Sequence, residues 1–388
     1  MVVNAANEQP IENASVFISN TAKFTQTAAT GTFNLQEVPV GTYDIIVSCV
    51  GYQTLTYTYN ASQLPMRINF KLEIKKLSAS TITVMPIDPN GWEKWGKTFL
   101  EAYLGITENS GYCSIANKDV LQFRYYKKEN KLEVIATDMV KIINKKLGYT
   151  ITEQLELFEI NFTQQITSNV GYYYFEPITN KSNYKLQKYV QERENAYYGS
   201  ITHLMRSLYN NTTTADGFVL RKLTRVENTL KKNYRDSLKQ SFAKALKDTS
   251  TTNKNIKKYT ITTAHSKPIN SNLLSQPDYF EVLSTTLYRI SDLVQNTPDN
   301  STVKKLTFSE RLYIEYTQEN QNELYYTSNR IQHRTPYQTS KLQFAQGCNN
   351  VLINASGNYY EALCIYVDGY MGWEKMGEML PLDYKVGD

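Results

Sequence analysis

The sequence predicts an α+β protein in two units, a small β-sandwich followed by a larger mixed domain. Three observations carry that expectation. Residues 1–75 hold short alternating strands, with turn signals spaced about as in small sandwiches. Tyr is used 31 times and Gly only 17 times, a bias toward pleated, half-buried surfaces. Beyond residue 90, strand and helix patterns mix without strict βαβ alternation, which argues against a doubly wound sheet. A chain of 388 residues is also longer than one sandwich needs.

In the first unit, Val16 and Ile18 alternate with polar neighbours, and Phe33 and Leu35 do the same after "TGT". Tyr43, Ile45 and Val47 follow on a strand after a Pro-Gly turn, with Cys49 on the same face as a small core residue, and Leu55 and Tyr57 on the next strand. "INFKLE" (68–73) is the expected closing strand. Residues 76–90, polar and then rich in Pro, Asp and Asn, read as a linker.

The second unit, 91–388, begins with "WEKWGKTFLEAYLG", an amphipathic helix with Trp92, Trp95, Phe99 and Tyr103 on one face and a Gly stop. "VLQFRYYKKENKLEVIATD" reads as a hairpin turned at Lys127–Asn130, and "LGYTITEQLELFEINF" and "VGYYYFEPI" as further strands. "GSITHLMRSLYN" is a helix capped by Ser200, with Ile201, Leu204, Met205 and Leu208 on one side. Later strand candidates are "KYTITTAH", "LYIEYTQE", "NVLIN" and "YYEALCIYV". "GWEKWG" (91–96) and "GWEKMG" (372–377) echo each other, but their flanks differ, so they read as two similar helix starts anchored by buried Trp92 and Trp373.

Charge is nearly balanced, with 42 Lys+Arg against 37 Asp+Glu, too mild to imply nucleic acid. No apolar run is long enough for a membrane-spanning helix. Met1 stands directly on "VVNAANEQP", which reads as mid-strand, so an export signal is expected to lie outside this sequence. Four cysteines show no C-x-x-C spacing. A Cys348–Cys364 disulfide across "VLINASGNYYEAL" fits a three-residue loop, whereas an equal-length register puts the two on opposite faces.

The stretches "EQPIENASVFI" and "GTFNLQEVPVGTYDIIVSCVGY" with the trailing "KLE" resemble the carboxypeptidase regulatory-like module, a transthyretin-like, Ig-like sandwich. The family often carries Asp before its Gly-x-Phe. Here the segment is "AATGTF", so no role for that acid transfers. The remainder resembles the companion region of Bacteroidetes envelope proteins that carry this module, through "FLEAYLGITENSGYCSIANKDVLQFRY", "ERENAYYGSITHLMRSLYNN" and "GYMGWEKMGEMLPLDY". That resemblance implies an exported protein of the periplasm, outer membrane or cell surface, and implies no reaction.

The module's name invites a zinc peptidase, but His203, His265 and His333 are the only histidines and none has a spaced acid after it, so neither metal nor cofactor is expected. Ser200 and His203 stand three apart without an orienting acid, and Ser200 already has a capping task. Arg193, Tyr197, Tyr198, His203 and Arg206 form a candidate polar, aromatic binding patch instead. From Arg221 to Lys258, twelve Lys/Arg face three acids. A basic amphipathic helix is expected near 228–248, with Leu230, Tyr234, Leu238 and Phe242 as its stripe and Lys231, Lys232, Arg235, Lys239 and Lys244 on other faces, suited to an anionic surface or simply to solvent. These readings converge on a non-enzymatic envelope protein that engages an outer-membrane or surface protein, with anionic lipid or glycan contact and without nucleic acid. A glycan-binding module would require an exposed row of Tyr or Trp on a sheet face. A hydrolase would require a deep cleft with convergent carboxylates or an activated Ser.

Overall fold

The computed structural model describes residues 1–39, 42–60, 66–75, 85–248, 270–298, 302–331 and 334–388. "KYTITTAH" with its His265, His333 and residues 76–84 of the expected linker lie outside these residues.

The first unit pairs β1 (Val2–Asn4), β2 (Ser15–Ile18), β3 (Phe24–Gln26), β4 (Thr42–Ser48), β5 (Leu55–Asn60) and β6 (Phe70–Leu72) into two sheets. The larger runs β3-β2-β4-β5, all antiparallel, and β1 lies parallel to β6. Val16, Ile18, Ile45 and Val47 point inward onto Val2, Phe70 and Leu72. Phe33 and Leu35 are not on a strand, as their alternation had suggested. They pack on this core from irregular backbone, half-buried or exposed along their length. The other face of β2 and β4 is buried as well: Phe17 and Ile46, cross-strand partners, are fully enclosed under Tyr174 of the second unit.

In the second unit, α1 (Gly91–Tyr103) lies on a sheet of β7 (Cys113–Ile115), β8 (Leu121–Tyr126), β9 (Lys131–Ala136), β10 (Val140–Asn144), β11 (Tyr149–Asn161) and β12 (Ile166–Pro177). The 13-residue β11 is its spine. It pairs along its length with β12 on one side, and on the other with β10 at its start and β9 at its end, so the sheet forks. Phe99 of α1 meets Phe123 and Phe158 edge to face in the fork, and Tyr103 meets Phe158 the same way. The β8–β9 hairpin turns at 127–130, with Asn130 left-handed at φ 51°.

Next come α2 (Asn183–Tyr197), α3 (Ile201–Asn210), β13 (Phe218–Glu227), α4 (Thr229–Asp248), β14 (Tyr279–Leu287), β15 (Val294–Asn296), β16 (Val303–Leu306), β17 (Arg311–Asn320), β18 (Tyr337–Phe344), β19 (Val351–Asn354) and β20 (Ile365–Gly369). One antiparallel sheet runs β14-β13-β17-β18-β20 and another β15-β16-β19. The predicted stripe of α3 is buried on Phe218, Leu220, Leu312 and Ile314, except Ile201, which is half-buried. Cys348 and Cys364 are disulfide-bonded. Asn354 and Asn358 close a three-residue loop, and Ile353 opposes Tyr359, the register that sets the two cysteines against each other. The "GWEKMG" echo does not start a helix: Trp373 ends the short helix Tyr370–Trp373. Among the described residues no helix is long and apolar enough to cross a membrane, which says nothing of a β-barrel.

The two units are joined along β12. The bend after β2 lies against it, with the Asn20 N–H donating to the Tyr173 carbonyl at 2.7 Å and the Phe175 N–H to the Thr21 carbonyl at 3.0 Å. Ser48 Oγ donates to Gln154 Oε1 at 2.7 Å. Tyr174, stacked on Phe24 at 4.6 Å and tilted on Phe17 at 5.0 Å, fills the space between. Tyr174→Ala should therefore lower stability by about 3 kcal/mol, the usual loss for a buried aromatic truncated in place. Urea unfolding followed by probes in both units should show the loss in each.

Candidate functional site

The predicted patch at α2 and α3 does not form one surface. Arg193 is buried, and its guanidinium donates to the carbonyls of Leu147 (2.8 Å), Gly148 (3.2 Å) and Asp388 (3.4 Å) while lying 4.0 Å from the Tyr149 ring. It clamps the β10–β11 turn, where Gly148 holds φ 71° with the Tyr189 ring where a Cβ would be. Arg206 faces elsewhere, donating to the carbonyls of Ser356 (2.9 Å) and Leu382 (3.0 Å) beside Tyr197. His203 is buried among Tyr197, Tyr198, Phe218 and Tyr316, with Nδ1 accepting from the Gly199 N–H at 3.2 Å. Burial pushes its pKa down to about 4, against the pull of Asp216 and with the help of Arg206. Ser200 caps α3 through the His203 N–H and donates to the Tyr197 carbonyl, so its hydroxyl is not bonded to the imidazole.

Of this set, Tyr197, Ser200 and Arg206 reach a cavity that the sequence reading did not foresee. One lobe, about 300 Å³, lies where the sandwich, β12, α3, the 354–358 loop and the C-terminal segment meet. Asn20, Asn169, Tyr359, Lys375 and Tyr384 are on its wall. A second lobe, about 370 Å³, is lined by Glu192, Glu319, Gln338, Tyr370 and Trp373 among others. Ala196, Glu374 and Glu378 belong to both walls. The C-terminal segment follows β20 past the short helix, and its Met376, Leu380 and Tyr384 join the core of the forked sheet, which places Glu374 and Glu378 between the lobes.

Three carboxyls here, Glu319, Glu374 and Glu378, are disfavoured as anions. Burial raises Glu374 well above the ordinary range, and Glu378 and Glu319 add to it. Burial also raises Glu378, opposed by hydrogen bonds from Thr107 and Asn109, whose Nδ2 donates at 2.6 Å. Glu319 is raised by burial while accepting from Gln338 Nε2 at 2.9 Å. Glu108 and Glu192 share Lys146, each at 3.0 Å. Burial lowers Lys375 on the opposite lobe. Nearby, in the forked sheet, Glu153 is wholly buried; burial pushes it up to about 7, although the hydroxyls of Tyr103 and Tyr173 favour its ionised form. Among the described residues no three acid, His or Cys side chains converge as a metal site would require. The only signal for this cavity in the sequence is the pair Glu374 and Glu378, four apart beside Trp373.

The basic helix forms, but its charges are partly neutralised. Asp278 pairs with Lys231 (3.0 Å) and Arg235 (3.4 Å), Glu227 with Lys232 (2.8 Å), and Asp236 lies 3.9 Å from Lys239. Lys244 is exposed. Of the stripe, Tyr234 and Leu238 are half-buried while Leu230 is 72% exposed. The flanking strands form an arm: β13 leaves β17 after Leu223, and 224–227 continue against 279–282 of β14 alone among the described residues. Val226 opposes Phe280 and Thr224 opposes Val282, which leaves Val226, Phe280 and Val282 on one face, each about half exposed (47%, 45% and 53%).

Residues 1–84 match the model of the CarboxypepD_reg-like domain. The N-terminal unit is thus the regulatory-like sandwich that "GTYDIIVSCVGY" suggested, followed by a mixed region of helices and strands. No curated protein and no solved structure matches the chain. The CarboxypepD_reg-like domain supplies Asn20 to the cavity wall, and the other wall residues named here come from the region after it.

Opposed titrations follow from these groups. Native Glu153 keeps a proton up to about pH 7 that the unfolded chain releases near its ordinary 4.5, so stability falls as pH rises through that window, and Glu319, Glu374 and Glu378 act in the same direction. His203 opposes them, since the unfolded imidazole binds a proton below 6.5 that the native one refuses down to about 4. Denaturation midpoints between pH 4.5 and 7 should fall with rising pH, less steeply in Glu153→Gln and more steeply in His203→Asn.

Proposed function

We propose that the chain is an exported cell-envelope protein without catalytic activity, which acts in assembly or interaction with an outer-membrane or surface protein. The observation that carries this reading is the arm. A two-stranded ribbon with Val226, Phe280 and Val282 exposed on one face is the kind of apolar surface that a protein partner covers. The Cys348–Cys364 disulfide supports a compartment outside the reducing cytosol. The ion pairs along α4 shift weight from anionic lipid toward a protein partner, because Asp278 and Glu227 already accompany Lys231, Lys232 and Arg235. In this reading the sandwich braces the larger region that presents the arm.

A glycan-binding role is the second reading, favoured by one feature of the five-stranded sheet. Its register puts Tyr279, Tyr337 and Tyr366 on the face opposite α3, all three exposed, with Tyr313 half-buried among them. Such rings can stack on sugars.

The arm is tested by co-sedimentation of the full chain with outer-membrane vesicles and with protein-free anionic liposomes. Wild type should bind the vesicles, and Phe280→Ser/Val282→Ser should bind about tenfold more weakly, the loss of two modest interface anchors. Lys239→Glu/Lys244→Glu should leave vesicle binding unchanged. Equal binding of the arm variant would remove the proposed surface, and wild-type binding to protein-free liposomes would return the role to the basic helix.

A further inference from the structure

The second lobe, between the C-terminal segment and the ends of α2 and β17, does not figure in the docking role, and its wall has an imbalance of charge. Glu319, Glu374 and Glu378 face it without a Lys or Arg ion pair among the described residues, and the Glu374 carboxyl makes no hydrogen bond either. Unpaired carboxyls at one low-dielectric site can coexist by protonation or by taking a cation between them. They do not converge on a point as metal ligands do. They stand around a space of about 370 Å³, which suits a cation that spreads several N–H bonds in different directions.

Two further side chains on the wall of this lobe carry buried polar atoms without partners, and neither is acidic. Trp373 is 8% exposed and its indole N–H finds no acceptor; Gln338 is 5% exposed and its Oε1 finds no donor. Asn20 Oδ1 and Asn169 Oδ1 are likewise buried without donors at the first lobe. Buried polar atoms in native proteins are nearly always satisfied, so a set of them around one cavity calls for an occupant with both donors and acceptors.

We propose that the second lobe binds a small primary-ammonium compound that also carries oxygen acceptors, with its ammonium among Glu319, Glu374, Glu378 and the unbonded Gln338 Oε1, and an oxygen toward the Trp373 indole N–H. Two sources share that chemistry: an amino sugar, and an amino acid or peptide N-terminus. Either fits a space of this size, since cavities that hold small ligands begin at about 300 Å³. This inference is independent of the arm, and vesicle binding can succeed or fail without touching it.

Calorimetric titration of the full chain with glucosamine, glycinamide and N-acetylglucosamine tests it. At least one of the two amines should bind, and which one does identifies the source. N-acetylglucosamine, which keeps the oxygens but not the charge, should bind at least tenfold more weakly than glucosamine if the amino sugar is the ligand. Glu374→Gln and Glu319→Gln should each weaken the amine that binds at least tenfold, with Glu319→Gln as the second reading if the first variant misfolds. Trp373→Phe should weaken it less. Absence of binding by both amines up to about 10 mM, below any useful affinity, would overturn the proposal. So would equal affinity for glucosamine and its N-acetyl form where the amino sugar binds, or undiminished affinity in the folded Gln variants.

Discussion

The short bend between β2 and β3 is where the chain is fastened to itself. Asn20 donates through its N–H to the Tyr173 carbonyl on one side and accepts from the Leu382 N–H at 2.6 Å on the other. Thr21 accepts from Phe175, and the Ala22 N–H reaches Asp383 Oδ1 at 3.0 Å. Three residues of the sandwich thus stand between β12, an outer strand of the forked sheet, and the C-terminal segment. Beneath them Phe17, Ile46 and Tyr174 exclude water, which strengthens each of these hydrogen bonds. Without this fastening, the segment that carries Glu374 and Glu378 would lose one of its two walls.

The position of the carboxyls follows from it. Arg206 holds the Leu382 carbonyl from α3, and Asn144 Nδ2 donates to the Gly377 carbonyl at 2.9 Å from the end of β10. Gly377 packs where a Cβ would meet Ser110 backbone, so the segment passes close against the residues that precede β7. Glu378 lies between these fixed points and Glu374 three residues before the first, so neither has much room to swing into solvent. Burial of acidic groups lowers stability, and a fold that keeps them at the meeting point of its parts carries a local conflict of the kind usually found at functional places.

Much of the fold was legible in local patterns. The alternation of β2, β4, β11 and β12, the turn at Asn130 and the capped helix at Ser200 each depend on near neighbours, and each formed as read. Phe33 and Leu35 alternate too, yet they lie on irregular backbone, because two apolar residues two apart also suit a loop folded over a core. α2 was missed since its buried side mixes Tyr189 and Ala196 with Arg193, whose charge is answered by carbonyls some 45 positions away. The double burial of Phe17 and Ile46 depends on Tyr174, and the cavity on Glu319, Glu374 and Glu378 meeting across the chain. Period and composition do not record such encounters. The patch centred on Arg193 and His203 failed to form one surface for the same reason: distant carbonyls hold Arg193 and Arg206, and His203 packs against the ring of Tyr316.

The central claim is that the sandwich and the region after it are one cooperative structure, fastened at Asn20. Native-state hydrogen exchange read on peptides that contain Asn20, Phe175 and Leu382 tests it directly. The account predicts that these three amides open together, with the free energy of global unfolding and the same dependence on denaturant. Exchange at Asn20 through a separate, lower-energy opening, with Phe175 and Leu382 still protected, would contradict it.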